Sequence, residues 1–112
     1  MNIQIYGKKK CFDTGKAERY FKERKIKYQY IDLGRYGMSK GELESVKKAI
    51  GLRELLDDKS PLYQEKNLDK ITKEEIIKEI ILEYPKLFKT PIVRNGKEAT
   101  LGYAPDEWQK WE

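Results

Sequence analysis

The N-terminal third of the chain constrains the fold most, because it predicts two strands joined by a single helix. Residues 2–6 alternate polar and apolar side chains, as half-buried strands do, and residues 27–33 are rich in aromatic and β-branched residues. An amphipathic helix is predicted between them, with Asp13 or Thr14 as its cap and its end near Arg24. So short a strand–helix–strand unit predicts a parallel pair with a right-handed crossover.

The C-terminal part predicts a β-hairpin followed by a helix. Residues 90–94 and 99–103 have strand-like composition, and Asn95-Gly96 between them is a strong hairpin signal. A final helix is expected from Pro105. Together with the N-terminal unit, this order predicts an α/β domain with a mixed four-stranded sheet. Its plan, β-α-β then β-β-α, is thioredoxin-like, and a ferredoxin-like sheet is the alternative.

The middle of the chain predicts helices. Residues 34–37 are expected to form a loop, and residues 39–42 have the sequence of a capping box that opens a helix. Residues 72–75 have a second capping-box sequence, before an isoleucine-rich helix that Pro85 ends. We therefore predict one domain, residues 1–112, with a helical insertion over residues 38–88.

Composition excludes several classes of function. The 112 residues contain no histidine, which argues against Ser-His-Asp triads and the usual zinc sites, and no metal site is predicted. One cysteine cannot form an internal disulfide, and no signal peptide or membrane-spanning stretch is evident, so the cytoplasm is the expected location. The net charge is +5, but only residues 8–10 form a basic run. Direct nucleic-acid binding through that run is the least favoured interpretation.

The single cysteine, Cys11, is the candidate nucleophile. It is predicted at a helix N-terminus among lysines, where backbone N–H groups, the helix dipole and ammonium groups favour a thiolate. Lys10 and Lys16 are the nearby cations, and Thr14 is placed to donate a hydrogen bond to the sulfur. The alternative is a small buried apolar residue, a common environment for a free cysteine.

The segment Cys11-x-x-Thr14-x-Lys16-Ala17 resembles the active-site segment of the arsenate reductase/Spx family. Three further segments resemble that family in the same order, namely residues 55–63, 90–93 and 101–108. The resemblance implies a thioredoxin fold with a helical insertion and a nucleophilic cysteine. It also implies a cis Thr90–Pro91 bond beside Cys11, on the side where a substrate binds.

Two functions follow from this resemblance. One is a thiol-dependent oxidoreductase with no bound cofactor. In this case glutathione, or a glutaredoxin- or thioredoxin-like protein, would reduce the mixed disulfide formed on the cysteine. The other is an Spx-like regulator that binds the RNA polymerase α subunit without enzymatic activity. Arginines that bind the oxyanion in arsenate reductases are replaced here by Thr90, by Asp57 and by Tyr103 or Ala104. Arsenate reduction is therefore not expected, because losing bidentate cations weakens the binding of an oxyanion.

Overall fold

The computed structural model describes residues 1–112 and contains the predicted mixed sheet. Its strands are β1 (Ile3–Gly7), β2 (Tyr28–Asp32), β3 (Ile92–Asn95) and β4 (Glu98–Leu101), in the spatial order β2-β1-β3-β4. Strands β1 and β2 are parallel, whereas β1 with β3 and β3 with β4 are antiparallel. The sequence-based prediction of a parallel pair joined to a hairpin is therefore confirmed.

The helix between the parallel strands covers one face of the sheet. Helix α1 (Phe12–Glu23) and the C-terminal helix, which the structure places at Pro105–Lys110, pack together over strands β1 and β3. Trp108 is fully buried in this layer, and its Nε1 donates a hydrogen bond to Thr100 Oγ1 at 2.7 Å. The rings of Tyr20, Phe21 and Trp108 pack edge-to-face or tilted, with centroids 5.0–5.1 Å apart. This aromatic cluster fixes α1, and with it the start of the helix, against the sheet.

The opposite face carries the second core cluster, built by the segment between β2 and β3. Its helices are α2 (Leu33–Tyr36), α3 (Lys40–Ile50), α4 (Leu52–Leu55), α5 (Pro61–Glu65) and α6 (Glu74–Glu83), followed by a 3₁₀ turn at Pro85–Leu87; the C-terminal helix is then α7. The apolar residues of these helices pack with Tyr6 and Ile92, the sheet residues whose side chains point to this face. None of the helices in the chain has the length and apolar character needed to cross a bilayer.

Two local predictions are wrong. Residues 34–37 are not a simple loop, because the Asp32 carboxylate accepts the Gly34 N–H at 3.0 Å and starts the one-turn helix α2. The capping box predicted at residues 72–75 is absent, since α6 begins one residue later with Lys73 at its N-cap and no side-chain cap. The helix is held instead by its own isoleucines Ile77 and Ile81, which are buried in the core.

The capping box at the start of α3 is confirmed, and its glutamate also makes a hydrogen bond to the sheet. Ser39 Oγ accepts the Glu42 N–H at 3.1 Å, and Glu42 Oε1 accepts the Ser39 N–H at 3.0 Å. The other carboxylate oxygen of Glu42 accepts a hydrogen bond from Tyr6 Oη at 2.5 Å. Arg94 from β3 also donates to Tyr6 Oη, at 3.4 Å. Glu42 therefore joins the N-terminus of α3 to β1, through a tyrosine that is fully buried.

We predict that Glu42→Ala lowers the free energy of unfolding by about 1–2 kcal/mol, because it removes two charge-assisted hydrogen bonds and leaves the Tyr6 hydroxyl short of a partner. Although burial opposes ionisation, hydrogen bonds from Tyr6 and Ser39 hold the pKa of Glu42 below its ordinary value. The stabilisation is therefore complete above the ordinary glutamate pKa of about 4.3 and is lost as the pH falls through the lower folded-state value. Urea unfolding at several pH values measures this effect.

The matched control is Glu79→Ala on α6, an exposed glutamate that makes no ion pair. We expect this variant to stay within about 0.5 kcal/mol of the parent protein. The hydrogen-bond network of Glu42 would be contradicted if both variants lost the same free energy of unfolding. It would also be contradicted if the loss in Glu42→Ala were the same at acidic and neutral pH.

Candidate active site

Cys11 is the residue immediately before α1, at the point where the chain turns from the end of β1 into the helix. It has an extended conformation and is the N-cap of α1, with φ of −85° and ψ of 113°. A tight turn precedes it, in which the Cys11 N–H bonds the Lys8 carbonyl at 3.3 Å and Lys10 adopts a left-handed φ of 66°. The thiol is partly exposed. The alternative interpretation, a fully buried apolar cysteine, is therefore wrong.

Thr90 makes a direct contact with the sulfur. Its Oγ1 donates a hydrogen bond to Cys11 Sγ at 3.2 Å, and the thiol can donate to the Thr90 carbonyl oxygen, 3.6 Å from Sγ. The Thr90–Pro91 peptide bond is cis, as the family resemblance implied. The preceding residue is fixed by the hydrogen bond from Lys89 N to the Leu55 carbonyl at 2.8 Å. Thr90 is therefore held against Cys11 by backbone contacts with the helical segment.

Thr14 lies in the first turn of α1 and is only 3% exposed. The prediction that Asp13 or Thr14 caps the helix is wrong, because the N-cap is Cys11 and no side chain caps it. The Thr14 Oγ1 atom is buried without a hydrogen-bond partner of ordinary geometry. It fits against the end of β1 because residue 7 is glycine, where a Cβ would lie 2.4 Å from Thr14 Cγ2. Gly7 thus makes room for a buried hydroxyl beside the cysteine.

These donors lower the pKa of Cys11. Burial alone would raise the pKa of the thiol, but hydrogen bonds from the side chains of Thr14 and Thr90 and from the Thr14 and Asp13 backbone N–H groups outweigh it. The net effect places the pKa below the ordinary cysteine value. The Thr14 hydroxyl makes no hydrogen bond while Cys11 is a thiol, so it acts on this pKa as a nearby unpaired donor that the thiolate can use. Hydrogen bonding to the anion is thus the main cause of the shift.

The lysines around the site differ in their placement. Lys10 and Lys16 are exposed, and Lys16 Nζ lies 5.2 Å from the ring centroid of Phe12 and 5.5 Å from that of Tyr103. Lys8, which sequence reasoning did not select, is half-buried, and its Nζ donates to the Lys86 carbonyl at 2.7 Å. Burial lowers the pKa of Lys8, while the charges of Asp57 and the Cys11 thiolate act in the opposite direction. Lys8 therefore shares the environment of Cys11 and Asp57, with which it lines one groove.

A groove of about 430 Å³ gives access to Cys11 and Thr90. Its charged residues are three lysines and two aspartates, namely Lys8, Asp57, Asp58, Lys59 and Lys89. No arginine lines this groove. On the other side of the thiol, Phe12 is 80% exposed and forms the rim of the site with Lys10 and Lys16. The site therefore presents a partly exposed thiol between a groove of mixed charge and an aromatic rim.

Comparison with known proteins identifies the family. The model of the ArsC family matches residues 6–111. The chain belongs to the ArsC family. It is 31% identical to the global transcriptional regulator Spx 2 of Oceanobacillus iheyensis, over 96% of this chain and 81% of that protein. It is also 36% identical to an arsenate reductase of Haemophilus influenzae, over 61% of this chain and 62% of that protein.

Solved structures agree with this assignment and with the predicted fold class. The arsenate reductase from Vibrio cholerae superimposes with a TM-score of 0.88 at 25% identity, covering 98% of this ArsC chain and 97% of that one. The glutaredoxin-like protein NrdH-redoxin from Escherichia coli superimposes with a TM-score of 0.52 at 14% identity. At this identity the similarity shows a shared fold and nothing about function. The thioredoxin-like α/β fold is therefore confirmed, and the ferredoxin-like alternative is not supported.

We predict that Thr90→Val raises the pKa of Cys11 toward the ordinary thiol value, because the substitution keeps the side-chain shape and removes a hydrogen bond to the charged sulfur. The rate of alkylation by iodoacetamide, measured as a function of pH, gives the pKa directly.

The control for this prediction is Thr72→Val, at an exposed threonine whose side chain makes no hydrogen bond. Its alkylation profile should match that of the parent protein. An unchanged profile for Thr90→Val as well would show that the hydroxyl of Thr90 does not stabilise the thiolate.

Proposed function

We propose that this ArsC family protein is a thiol–disulfide oxidoreductase with Cys11 as its single nucleophile. The observation that carries the proposal is the hydrogen bond of 3.2 Å from Thr90 Oγ1 to the sulfur of a partly exposed cysteine. A low thiol pKa with access for a substrate is the combination that distinguishes reactive cysteines from structural ones. Thr14, Thr90 and the amides at the start of α1 stabilise the thiolate, and Lys10 and Lys16 add positive charge around it.

The reaction begins with attack of the Cys11 thiolate on one sulfur of a disulfide. A new bond forms between Sγ and that sulfur, the original disulfide bond breaks, and the other half leaves as a thiolate that takes a proton from water. The protein then carries a mixed disulfide. In this proposal the substrate approaches through the groove that Thr90 lines, so that Thr90 and the cis bond to Pro91 lie on the substrate side of the sulfur.

An external thiol must complete the cycle, because the chain has one cysteine. Attack of that thiol on the substrate-derived sulfur of the mixed disulfide forms a disulfide between the two small molecules and releases the Cys11 thiolate. A second molecule of the external thiol then attacks that disulfide, forms the external disulfide and releases the remaining half of the substrate as a thiol. Overall, one substrate disulfide is reduced to two thiols while two molecules of the external thiol are oxidised to a disulfide. Glutathione, or a glutaredoxin- or thioredoxin-like protein, is the reductant of this class. No bound cofactor takes part in these steps.

Arsenate is a poor fit to this site. The groove that Cys11 shares with Thr90 contains Asp57 and Asp58 beside its lysines and has no arginine, and on the Phe12 side of the thiol Arg19 is the single guanidinium. A multiply charged oxyanion is bound best by bidentate guanidinium groups and is repelled by carboxylates. The proposal is therefore disulfide exchange rather than arsenate reduction.

The second candidate is a transcriptional regulator that binds RNA polymerase. It is favoured by the 31% identity to the regulator Spx 2 and the 27% identity to the Regulatory protein MgsR of Bacillus subtilis, each over 96% of this chain. In this candidate the thiol is at most a site of modification. The two functions differ in whether the activity requires the sulfur.

Cys11→Ser separates the two candidates. We predict that the parent protein gains one glutathionyl group on incubation with oxidised glutathione, as observed by intact mass, and that it catalyses the glutathione-dependent reduction of bis(2-hydroxyethyl) disulfide. Both signals should be lost in Cys11→Ser, because serine has no sulfur to form the mixed disulfide. Circular dichroism serves as the control for folding.

The same two proteins are tested for retention on the immobilised C-terminal domain of the RNA polymerase α subunit. Equal retention of both, with no catalysis by the parent protein, would favour the regulator and overturn the oxidoreductase proposal.

A further inference from the structure

A basic cleft lies next to the thiol, at the end of the sheet where the parallel strands β1 and β2 finish. Its volume is about 730 Å³, and its lining contains no hydrophobic residue. The lining residues are Lys8, Lys9, Asp32, Gly34, Arg35 and Lys86. The oxidoreductase chemistry described above does not use this cleft.

The cleft carries excess positive charge. Four of its six residues are cationic, and none of these four forms an ion pair. The single acid, Asp32, uses one carboxylate oxygen to accept the Gly34 N–H at 3.0 Å. Lys9, Arg35 and Lys86 are exposed and can move to meet a ligand. An anionic group entering the cleft would therefore find several unpaired donors and one partly occupied carboxylate.

Lys8 connects this cleft to the thiol. It lines both the basic cleft and the groove that contains Cys11 and Thr90. Its ammonium group is held in place by the Lys86 carbonyl at 2.7 Å, and its own carbonyl accepts the Cys11 N–H at 3.3 Å. A molecule whose sulfur contacts Cys11 can thus extend past Lys8 into the cleft.

Of the two cavities that Lys8 lines, the basic cleft has the larger excess of positive charge. The groove has three lysines against two aspartates, whereas the cleft has four cationic residues against Asp32 alone. A carboxylate that reaches past Lys8 is therefore attracted more strongly by the cleft than by the groove. The basic run at residues 8–10 is also divided, because Lys8 and Lys9 line the cleft whereas Lys10 lies on the other side of the thiol with Phe12. The three lysines of this run therefore belong to two separate cavities. They do not form one continuous basic surface of the kind that binds nucleic acid.

We propose that the basic cleft binds a carboxylate of the disulfide that Cys11 attacks, so that the preferred substrates are low-molecular-weight disulfides bearing carboxylates. The inference rests on the proposed oxidoreductase function and adds the recognition of the substrate. The covalent step is unchanged, with the Sγ–S bond forming as the substrate S–S bond breaks and its other half leaves as a thiolate. The cleft contributes binding and orientation only.

The test compares two disulfides of different charge. The second-order rate constant for forming the mixed disulfide with Cys11 is measured for oxidised glutathione, which carries carboxylates, and for uncharged bis(2-hydroxyethyl) disulfide. In the double variant Lys9→Gln/Arg35→Gln, we expect the ratio of the two rate constants to fall about fivefold, the scale of one or two exposed ion pairs. The preference of the parent protein for oxidised glutathione should also weaken with added salt.

The matched control is Lys22→Gln/Lys97→Gln, which removes the same net charge from exposed positions at the last turn of α1 and in the hairpin turn. Its ratio should equal that of the parent protein. An unchanged ratio in the cleft variant, or an equal fall in the control, would overturn the role of the cleft while leaving the oxidoreductase proposal in place. If the parent protein reacts with neither disulfide, the proposed function fails as well.

Discussion

The contact between Thr90 and Cys11 is the interaction on which the site depends, since it joins residues 79 positions apart in the chain. A cysteine at the start of a helix already has backbone N–H groups beside it. The hydroxyl of Thr90 adds a donor from a different part of the chain, and Thr14 adds a buried hydroxyl from within the helix. The thiolate is therefore stabilised by the tertiary fold and not by local sequence alone.

The sheet explains how these groups meet. Strand β1 ends at Gly7, just before the cysteine turn, and β3 begins at Ile92, just after Thr90 and Pro91. Because β1 and β3 are antiparallel neighbours in which Tyr6 pairs with Ile92, the end of one strand and the start of the other lie side by side. The aromatic cluster on one face holds α1, and the helical segment on the other face holds the backbone before Thr90. Both layers are needed to keep the sulfur and its donor together.

Much of this arrangement was predictable from short-range patterns. The strand–helix–strand unit, the Asn95-Gly96 hairpin and the capping box at Ser39 are local signals, and the structure agrees with each. The capping box predicted at residues 72–75 is absent, and α6 is held by the burial of Ile77 and Ile81, which is a tertiary contact and not a local signal.

Other features of the site depend on contacts between distant residues. The role of Lys8 could not be deduced, because it requires knowing that its ammonium group meets the Lys86 carbonyl, 78 positions along the chain. The cap predicted at Asp13 or Thr14 was wrong for a related reason, since Thr14 packs inward against Gly7 instead of toward the free N–H groups of the helix. In sequence, the only signal for that packing was a glycine at the end of a strand.

Relatives with regulatory and with reductase names both match this chain, and the two functions differ in their need for an ionised Cys11. The ionisation of Cys11 is the property that bears on the choice most directly. Thiolate absorbance in the ultraviolet, titrated against pH with Cys11→Ser as the blank, measures it without any substrate. We predict a midpoint clearly below the ordinary thiol value of about 8.5. A midpoint at or above that value would contradict the account, because the donors around the sulfur would then not be stabilising its anion.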